Sequence, residues 1–481
     1  MNDDPGGAAA APRTAGSRRR WPGPAGLEIA LAAAAFAVLC VVVLTVAPQL
    51  AEPDDYAYRA SVVAVTDGHF LTLSTGQVRA LAAQLTRSEG PSRRVLTGPG
   101  PLGGSIEQWV RLPDGRWISE KDPGYPFLAA PFQALGIIRL APLCYGALAC
   151  LGLFFGARRW LGRLGGAAAV GLYCLSGAAF LFCWRDYMPT FTDASLVAAG
   201  TGALLWAVLA AGATAGRRTW AGLAGFVALE AAVFARYTDI VVLGCAVLAV
   251  LVAWRRRAAG ITGAMLAWWL GSVAVFGAAL AGFDDLVYGG PLRQGYRPGE
   301  ITFSLGAVWS NLRLMPAHLI RAMPMLALGL AAAAWIAVRR VRLRRAGDQA
   351  PGARRDFAVG AALAGSWLGV WGLYAAYSWT AQPGITTEAA VRFYVPAAGA
   401  IALLGAWLLV RGRRSLGGAS RLPLAATASA AIVALAGLGL WSFHDMIAAP
   451  PSGSPAPPHC NIGQPYCAAK PPGHRQSPGR R

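Results

Sequence analysis

The sequence predicts an all-α polytopic membrane protein of roughly eleven transmembrane helices, and three observations carry that expectation. Of its 481 residues 55% are apolar and 14% are charged, where a soluble domain carries about 25% charge. Apolar runs of about 18 residues or more recur along the chain, each long enough to cross ~30 Å of hydrocarbon. Arginine clusters punctuate those runs at alternate ends. Arg18 to Arg20, Arg158-Arg159, Arg217-Arg218, Arg255 to Arg257, Arg339 to Arg355 and Arg411 to Arg421 fall in short segments on one side.

Taken in order, the spans are expected near 27–47, 140–157, 164–183, 194–212, 219–235, 240–254, 260–281, 317–338, 357–378, 393–410 and 422–442. The short basic segments hold 23 of the 43 basic residues, which makes that side cytoplasmic by the positive-inside rule. This places the N-terminus in the cytoplasm and the C-terminus outside, in a multi-pass protein of the cell membrane. A net charge of +20 in a soluble chain would suggest a nucleic-acid partner. Here the charge sets topology, and no nucleic acid is implied. By the same assignment 17 of the 23 acids lie outside.

Three regions follow. Residues 1–26 form a disordered basic cytoplasmic N-terminus, 27–442 the transmembrane domain, and 443–481 a Pro/Gly-rich outer tail. The first apolar run exceeds the 7–15 residues of a signal-peptide h-region, so it reads as a retained anchor. Within the domain, 48–139 is a long first outer loop carrying short interfacial helices. An amphipathic stretch covers Tyr58 to Val65, and Phe127 to Ile138 is too short to span and is interrupted by Pro131. A loop of that length is commonly functional. Most cysteines stand singly in apolar helices as small hydrophobes; Cys460 and Cys467 in the exported tail are candidates for a disulfide.

The chemistry gathers on the outer side. Asp54 and Asp55 follow the first span directly, a position that avoids the ~2.5–3.5 kcal/mol of placing a carboxylate at the bilayer centre. One of them is the candidate general base, and their adjacency is expected to raise their proton affinity; the plainer reading is a helix cap at Asp54. Lys121 is one of two lysines against 41 arginines, and its compact ammonium suits a single phosphate oxygen. Its rival reading is a loop ion pair with Glu120 or Asp122. Arg236 and Arg392 are further candidates for the phosphate, against roles as helix-flanking or snorkelling arginines. Tyr58, Tyr125, Tyr288, Tyr296 and Tyr394 are candidate substrate contacts, although an interfacial aromatic belt would supply the same residues. Lone His69 and His318 lack a zinc motif, and Glu230 stands alone inside the fifth span.

The Asp-Asp-Tyr-x-Tyr segment at 54–58, the Lys-Asp-Pro-Gly-Tyr-Pro-Phe-Leu-Ala-Ala-Pro-Phe segment at 121–132 and the Arg-Phe-Tyr-Val-Pro segment at 392–396 resemble the GT-C glycosyltransferase superfamily. That superfamily includes the protein O-mannosyltransferases and the lipid A aminoarabinose transferases. The resemblance implies a GT-C-like helical bundle that takes a sugar from a polyprenyl-phosphate carrier on the outer face. It implies a hexosyl- or pentosyltransferase whose base is Asp54 or Asp55, with Lys121 and Arg392 beside the donor phosphate. The acceptor is expected to be a glycan, lipid or protein on the outer face, and the transfer an inverting displacement at the anomeric carbon. No cofactor is encoded by a motif; a divalent cation held by Asp54 and Asp55 stays open. The rival class is a transporter or lipid flippase, which would place ionisable residues in mid-helix and break spans in matched halves.

Overall fold

The computed structural model describes residues 24–48, 53–89, 97–98, 105–106, 108–112, 114–257, 260–295, 302–347, 351–382, 385–415 and 424–448. Tyr296, Cys460 and Cys467 lie outside these residues, as do most of the N-terminal segment and of the C-terminal tail.

The chain opens with the apolar helix α1 (Pro24–Thr45). A polar elaboration follows, made of α2 (Pro53–Thr66), α3 (Thr75–Glu89), the short strands β1 (Thr97–Gly98), β2 (Ser105–Ile106), β3 (Trp109–Arg111) and β4 (Trp117–Ser119), and α4 (Gly124–Ala134). The bundle then continues through α5 (Leu140–Leu161), α6 (Gly165–Cys174), α7 (Gly177–Trp184), α8 (Thr190–Leu209), α9 (Ala215–Ala235), α10 (Ile240–Arg255) and α11 (Gly263–Tyr288). It ends with α12 (Leu305–Ala322), α13 (Met325–Arg345), α14 (Pro351–Ala375), the five-residue α15 (Thr387–Val391), α16 (Ala398–Ser415) and α17 (Leu424–Ala448).

Eight of these helices are long and apolar enough to cross a membrane, and ten spans result if each of two bent pairs counts as one. Of the eleven expected spans one is too short and two are bent. The segment near 393–410 is a shorter apolar helix, and the straight span expected at 317–338 is broken. There α12 and α13 meet at 112°, where Met323 leaves helical geometry ahead of Pro324; a proline has no N–H to donate and disfavours a helical residue before it. The span expected at 164–183 also bends, by 59°. Ser176 starts α7 afresh, its hydroxyl accepting from Ala179 N at 3.2 Å.

Close backbone packing holds the centre together. Helix α8 is largely buried, and it meets α5 through Gly152 and Gly202 and α9 through Gly200 and Gly225. Small residues at such crossings bring backbones within contact distance inside a membrane, where no hydrophobic force separates helix from lipid. The polar elaboration has its own apolar core, formed by Tyr56, Ala57, Ala60, Leu71, Leu73, Trp109, Trp117 and Ile118 and continued by Val287 and Tyr288 at the end of α11. The antiparallel pair β3–β4 contributes Trp109 and Trp117 to that core. The N-terminus of α2 is thereby wedged between this cap and one end of the bundle.

A Cβ at position 202 would lie 2.2 Å from the carbonyl carbon and oxygen of Gly152, and backbone cannot yield as a side chain can. Gly202→Ala is expected to destabilise the purified protein by about 1–3 kcal/mol in thermal unfolding. Gly244→Ala, whose Cβ would meet nothing within 4 Å, is expected to leave the midpoint unchanged or slightly higher.

Candidate active site

Two acids in the first turn of a helix are favoured by its exposed N–H groups and dipole, and Pro53, Asp54 and Asp55 open α2 in this way. Consecutive helical residues point about 100° apart, so the adjacent acids face different partners. Asp54 Oδ1 accepts from Gln108 Nε2 at 2.8 Å and lies 3.1 Å from Lys121 Nζ, while its Oδ2 lies 2.9 Å from an Arg392 guanidinium nitrogen. Asp55, fully buried, is paired through both oxygens with Arg185, which is itself fully buried and also bonded to Glu388.

Electrostatics follow from those contacts. Burial opposes ionisation of Asp54, yet Arg392, Lys121 and the Gln108 amide together hold its carboxyl well below the usual carboxylate range. Burial likewise disfavours the Lys121 ammonium, and Asp54 and then Glu120 overcome it, holding the ammonium well above its ordinary value. Lys121 Nζ is 3.5 Å from Glu120 Oε1, so the expected loop ion pair exists beside the pairing to Asp54. The expectation that adjacency raises proton affinity is not met at Asp54. Its neighbour in sequence is turned away, and its neighbours in space are cations.

Arg392 caps the C-terminal end of α15 and stacks over the rings of Trp379 and Phe393, each 4.8 Å from the guanidinium carbon. Arg236, at the C-terminal end of α9, meets Asp193 Oδ2 at 3.0 Å, donates to Thr190 Oγ1 at 3.1 Å and donates to the Arg392 carbonyl at 2.8 Å. It ties α8 and α9 to the residue that faces Asp54. Burial opposes its charge, but Asp193 holds the guanidinium above its ordinary value.

The tyrosines divide. Tyr58 lies one turn along from Asp54 and meets the Tyr125 ring edge-on at 5.6 Å; the Tyr125 hydroxyl donates to the Asp186 carbonyl. Tyr288 packs in the apolar core of the cap, and Tyr394 is buried with its ring 5.8 Å from that of Tyr374. The structure thus brings Asp54, Lys121 and Arg392 together, sets Asp55, Arg236, Tyr58 and Tyr125 around them, and places Tyr288 and Tyr394 in packed layers.

Several site residues have little or no sequence signal. Gln108 belongs to no motif. Arg185 and Glu388 are loop charges in the sequence, but the pairings of Arg185 with Asp55 and with Glu388 each span more than a hundred residues. Asp122 follows Lys121 directly, and burial pushes its carboxyl up to about 6 against the opposing charges of Arg236 and Lys121. Glu230 accepts a hydrogen bond from Ser272 on α11 at 2.9 Å, and His318 Nδ1 lies 2.8 Å from the Thr387 hydroxyl. Among the described residues, no group of three or more His, Cys, Asp or Glu side chains is arranged to hold a metal ion.

No family model matches the sequence, and no curated protein matches it. Among solved structures the likenesses are distant. The apo structure of ArnT from Cupriavidus metallidurans superposes with a TM-score of 0.47 at 16% identity over 82% of this chain and 62% of that one. The same protein bound to undecaprenyl phosphate gives 0.44 at 15% identity, covering 88% and 70%. The Archaeoglobus fulgidus oligosaccharyltransferase in complex with zinc and sulfate gives 0.44 at 14% identity, covering 86% of this chain and 53% of that one. The chain thus spans about three fifths of the apo ArnT structure.

Removing one member of a buried ion pair strands the other charge, at a cost of about 3–5 kcal/mol. Arg185→Met is expected to destabilise the protein by about that much, and adding Asp55→Asn should recover part of the loss. A double variant no more stable than the single one in thermal unfolding would show that Arg185 does not act through Asp55.

Proposed function

We propose that the chain is an integral membrane glycosyltransferase that moves a hexosyl or pentosyl group from a polyprenyl-phosphate carrier to an acceptor hydroxyl on the outer face of the cell membrane. The convergence of Lys121 and Arg392 on Asp54 carries this reading. Two cations from separate elements, fixed at one end of the bundle, suit a phosphate presented from the bilayer. Lys121 offers a point charge to one oxygen and Arg392 a planar fork to two.

In the reaction, the acceptor oxygen attacks the anomeric carbon from the face opposite the phosphate, and the bond from that carbon to the phosphate oxygen breaks. The electron pair leaves on the polyprenyl phosphate and the acceptor proton passes to a carboxylate. Negative charge grows on the phosphate as the bond breaks, so cations fixed beside it stabilise the transition state more than the ground state. Asp54, held ionised by its two cations, is suited to orient Lys121 and Arg392. For the base, Asp55 remains a candidate, and Asp122 joins it. A carboxyl near 6 is deprotonated at neutral pH and still takes a proton readily.

One observation favours the rival transporter or flippase. The bent pairs α6–α7 and α12–α13 fall in the first and second halves of the chain, as broken helices of inverted repeats do. Against it, the paired charges lie at the ends of the bundle instead of at its middle. Transfer of labelled sugar from a polyprenyl-phosphate donor, assayed in membranes, separates the two. Wild-type protein should transfer sugar, and Lys121→Ala and Arg392→Ala should each lower kcat by about 100-fold or more, with Asp55→Asn also impaired. Absence of transfer from every such donor would favour the transporter.

The pH profile assigns the base. With Asp122 in that role, kcat/KM should rise with pH through about 6, because the base works only when deprotonated, and Asp122→Asn should abolish transfer. A wild-type profile with no inflection between about pH 5 and 8 would remove Asp122 from the role.

A further inference from the structure

Gln108 stands at the entrance to β3 with φ at +61°, in the left-handed region that suits glycine and is uncommon for a residue with a side chain. Its main chain and side chain are both engaged. The carbonyl accepts from Glu120 N at 2.9 Å, which carries the β3–β4 ladder one step beyond the pair Trp109 and Ser119. The amide Nε2 donates to Asp54 Oδ1 at 2.8 Å. The amide oxygen is buried and has no hydrogen-bond partner among the described residues, so the bond that orients this side chain there is the one to Asp54.

Strained backbone persists where the surroundings over-determine it, and such positions gather at functional sites. A glycine at 108 would make the turn with less strain and would leave nothing to reach Asp54. What the glutamine adds is a neutral donor. Beside Lys121 and Arg392 it orients the carboxylate without changing the charge balance of the site. It also connects two segments. Its carbonyl holds Glu120, the residue before Lys121, while its amide holds the acid that pairs with Lys121 at 3.1 Å. One residue therefore sets both ends of the Lys121–Asp54 pair. With its side chain removed, the acid and both cations remain, but the carboxylate gains freedom to rotate.

We infer that Gln108 is a positioning residue of the proposed donor-phosphate site, its left-handed backbone kept so that the carbonyl fixes the Lys121 segment and the amide fixes Asp54. This rests on the reading of Lys121 and Arg392 as phosphate ligands. Gln108 itself touches neither phosphate nor sugar; it acts through Asp54 and Lys121. Charge alone draws the phosphate in, whereas stabilising the breaking bond needs the cations at a fixed place. Loss of Gln108 therefore falls on kcat and not on the KM for the donor.

The test combines transfer kinetics in membranes, from a polyprenyl-phosphate sugar donor, with thermal unfolding of the purified full-length protein. Gln108→Asn keeps the amide and tolerates positive φ better, but is one methylene too short to reach Asp54. It should lower kcat about tenfold with the donor KM within about twofold, while the unfolding midpoint stays or rises. Gln108→Gly should behave alike. Wild-type kcat in both variants would overturn the inference, because a residue serving only the turn is improved by Asn or Gly. So would a raised KM at unchanged kcat, or losses of activity that follow a fallen midpoint. A second arm needs no substrate. In a double-mutant cycle of Gln108→Leu and Asp54→Asn read by unfolding, the effects should couple by at least about threefold in the unfolding constant; additive effects would break the link between the two residues. Wild-type protein that transfers no sugar would sink the glycosyltransferase reading and this role with it, while the cycle would still show whether Gln108 holds Asp54.

Discussion

Everything around the candidate site depends on how α2 grips α15. Asp54 binds Arg392 at the C-terminal end of that five-residue helix, and Asp55 reaches Glu388 in its first turn through Arg185. Two adjacent acids pointing about 100° apart thus take hold of both ends of one short element. A single cap would explain one acid; the clamp explains both. It also explains why so many charges tolerate burial at this end of the bundle, since a buried ion is stable only when its remaining oxygens and protons find partners.

The clamp extends inward. Arg236 donates to the Arg392 carbonyl and is itself held by Asp193 and Thr190 at the start of the largely buried helix α8. The position of the Arg392 guanidinium is thereby referred to α8 through backbone and side chain at once. Lys121 is referred to the cap, where Ser119 Oγ accepts from its backbone N–H at 3.2 Å and β4 pairs with β3. The two cations beside Asp54 therefore belong to different bodies, one to the bundle and one to the cap, and Asp54 is the group that spans the seam.

Features set by local composition could be read from the sequence. Hydropathy located the spans, because a bilayer rewards length and apolarity whatever the tertiary contacts, and the lysine in an arginine-rich chain marked Lys121. Features set by direction or by distant partners could not. Nothing in 54–55 alone says that the acids diverge until the helix phase is known, and the expected mutual elevation of proton affinity failed at Asp54 for that reason. Arg185 and Gln108 find their acids across 130 and 54 positions. The bend between α12 and α13 was legible in principle, since Pro324 lies inside the apolar run, but in a membrane helix a proline is often accommodated by neighbours and does not by itself announce a break.

The seam gives the proposed chemistry its leverage. A carboxylate shared by two cations carries one negative charge, whereas a departing polyprenyl phosphate gains charge as its bond to the sugar breaks. Lys121 and Arg392 therefore interact more strongly with the late stages of transfer than with the neutralised arrangement around Asp54, and this difference, not the total attraction, lowers a barrier. Rigid placement matters for the same reason. Cations that had to be drawn in from solvent would spend that gain on reorganisation, while Arg392, stacked on Trp379 and Phe393 and fixed through Arg236, is already in position. On that proposal the acids divide the work: Asp54 sets the geometry of the two cations, and an acid with a proton affinity near neutrality, such as Asp122, exchanges the proton.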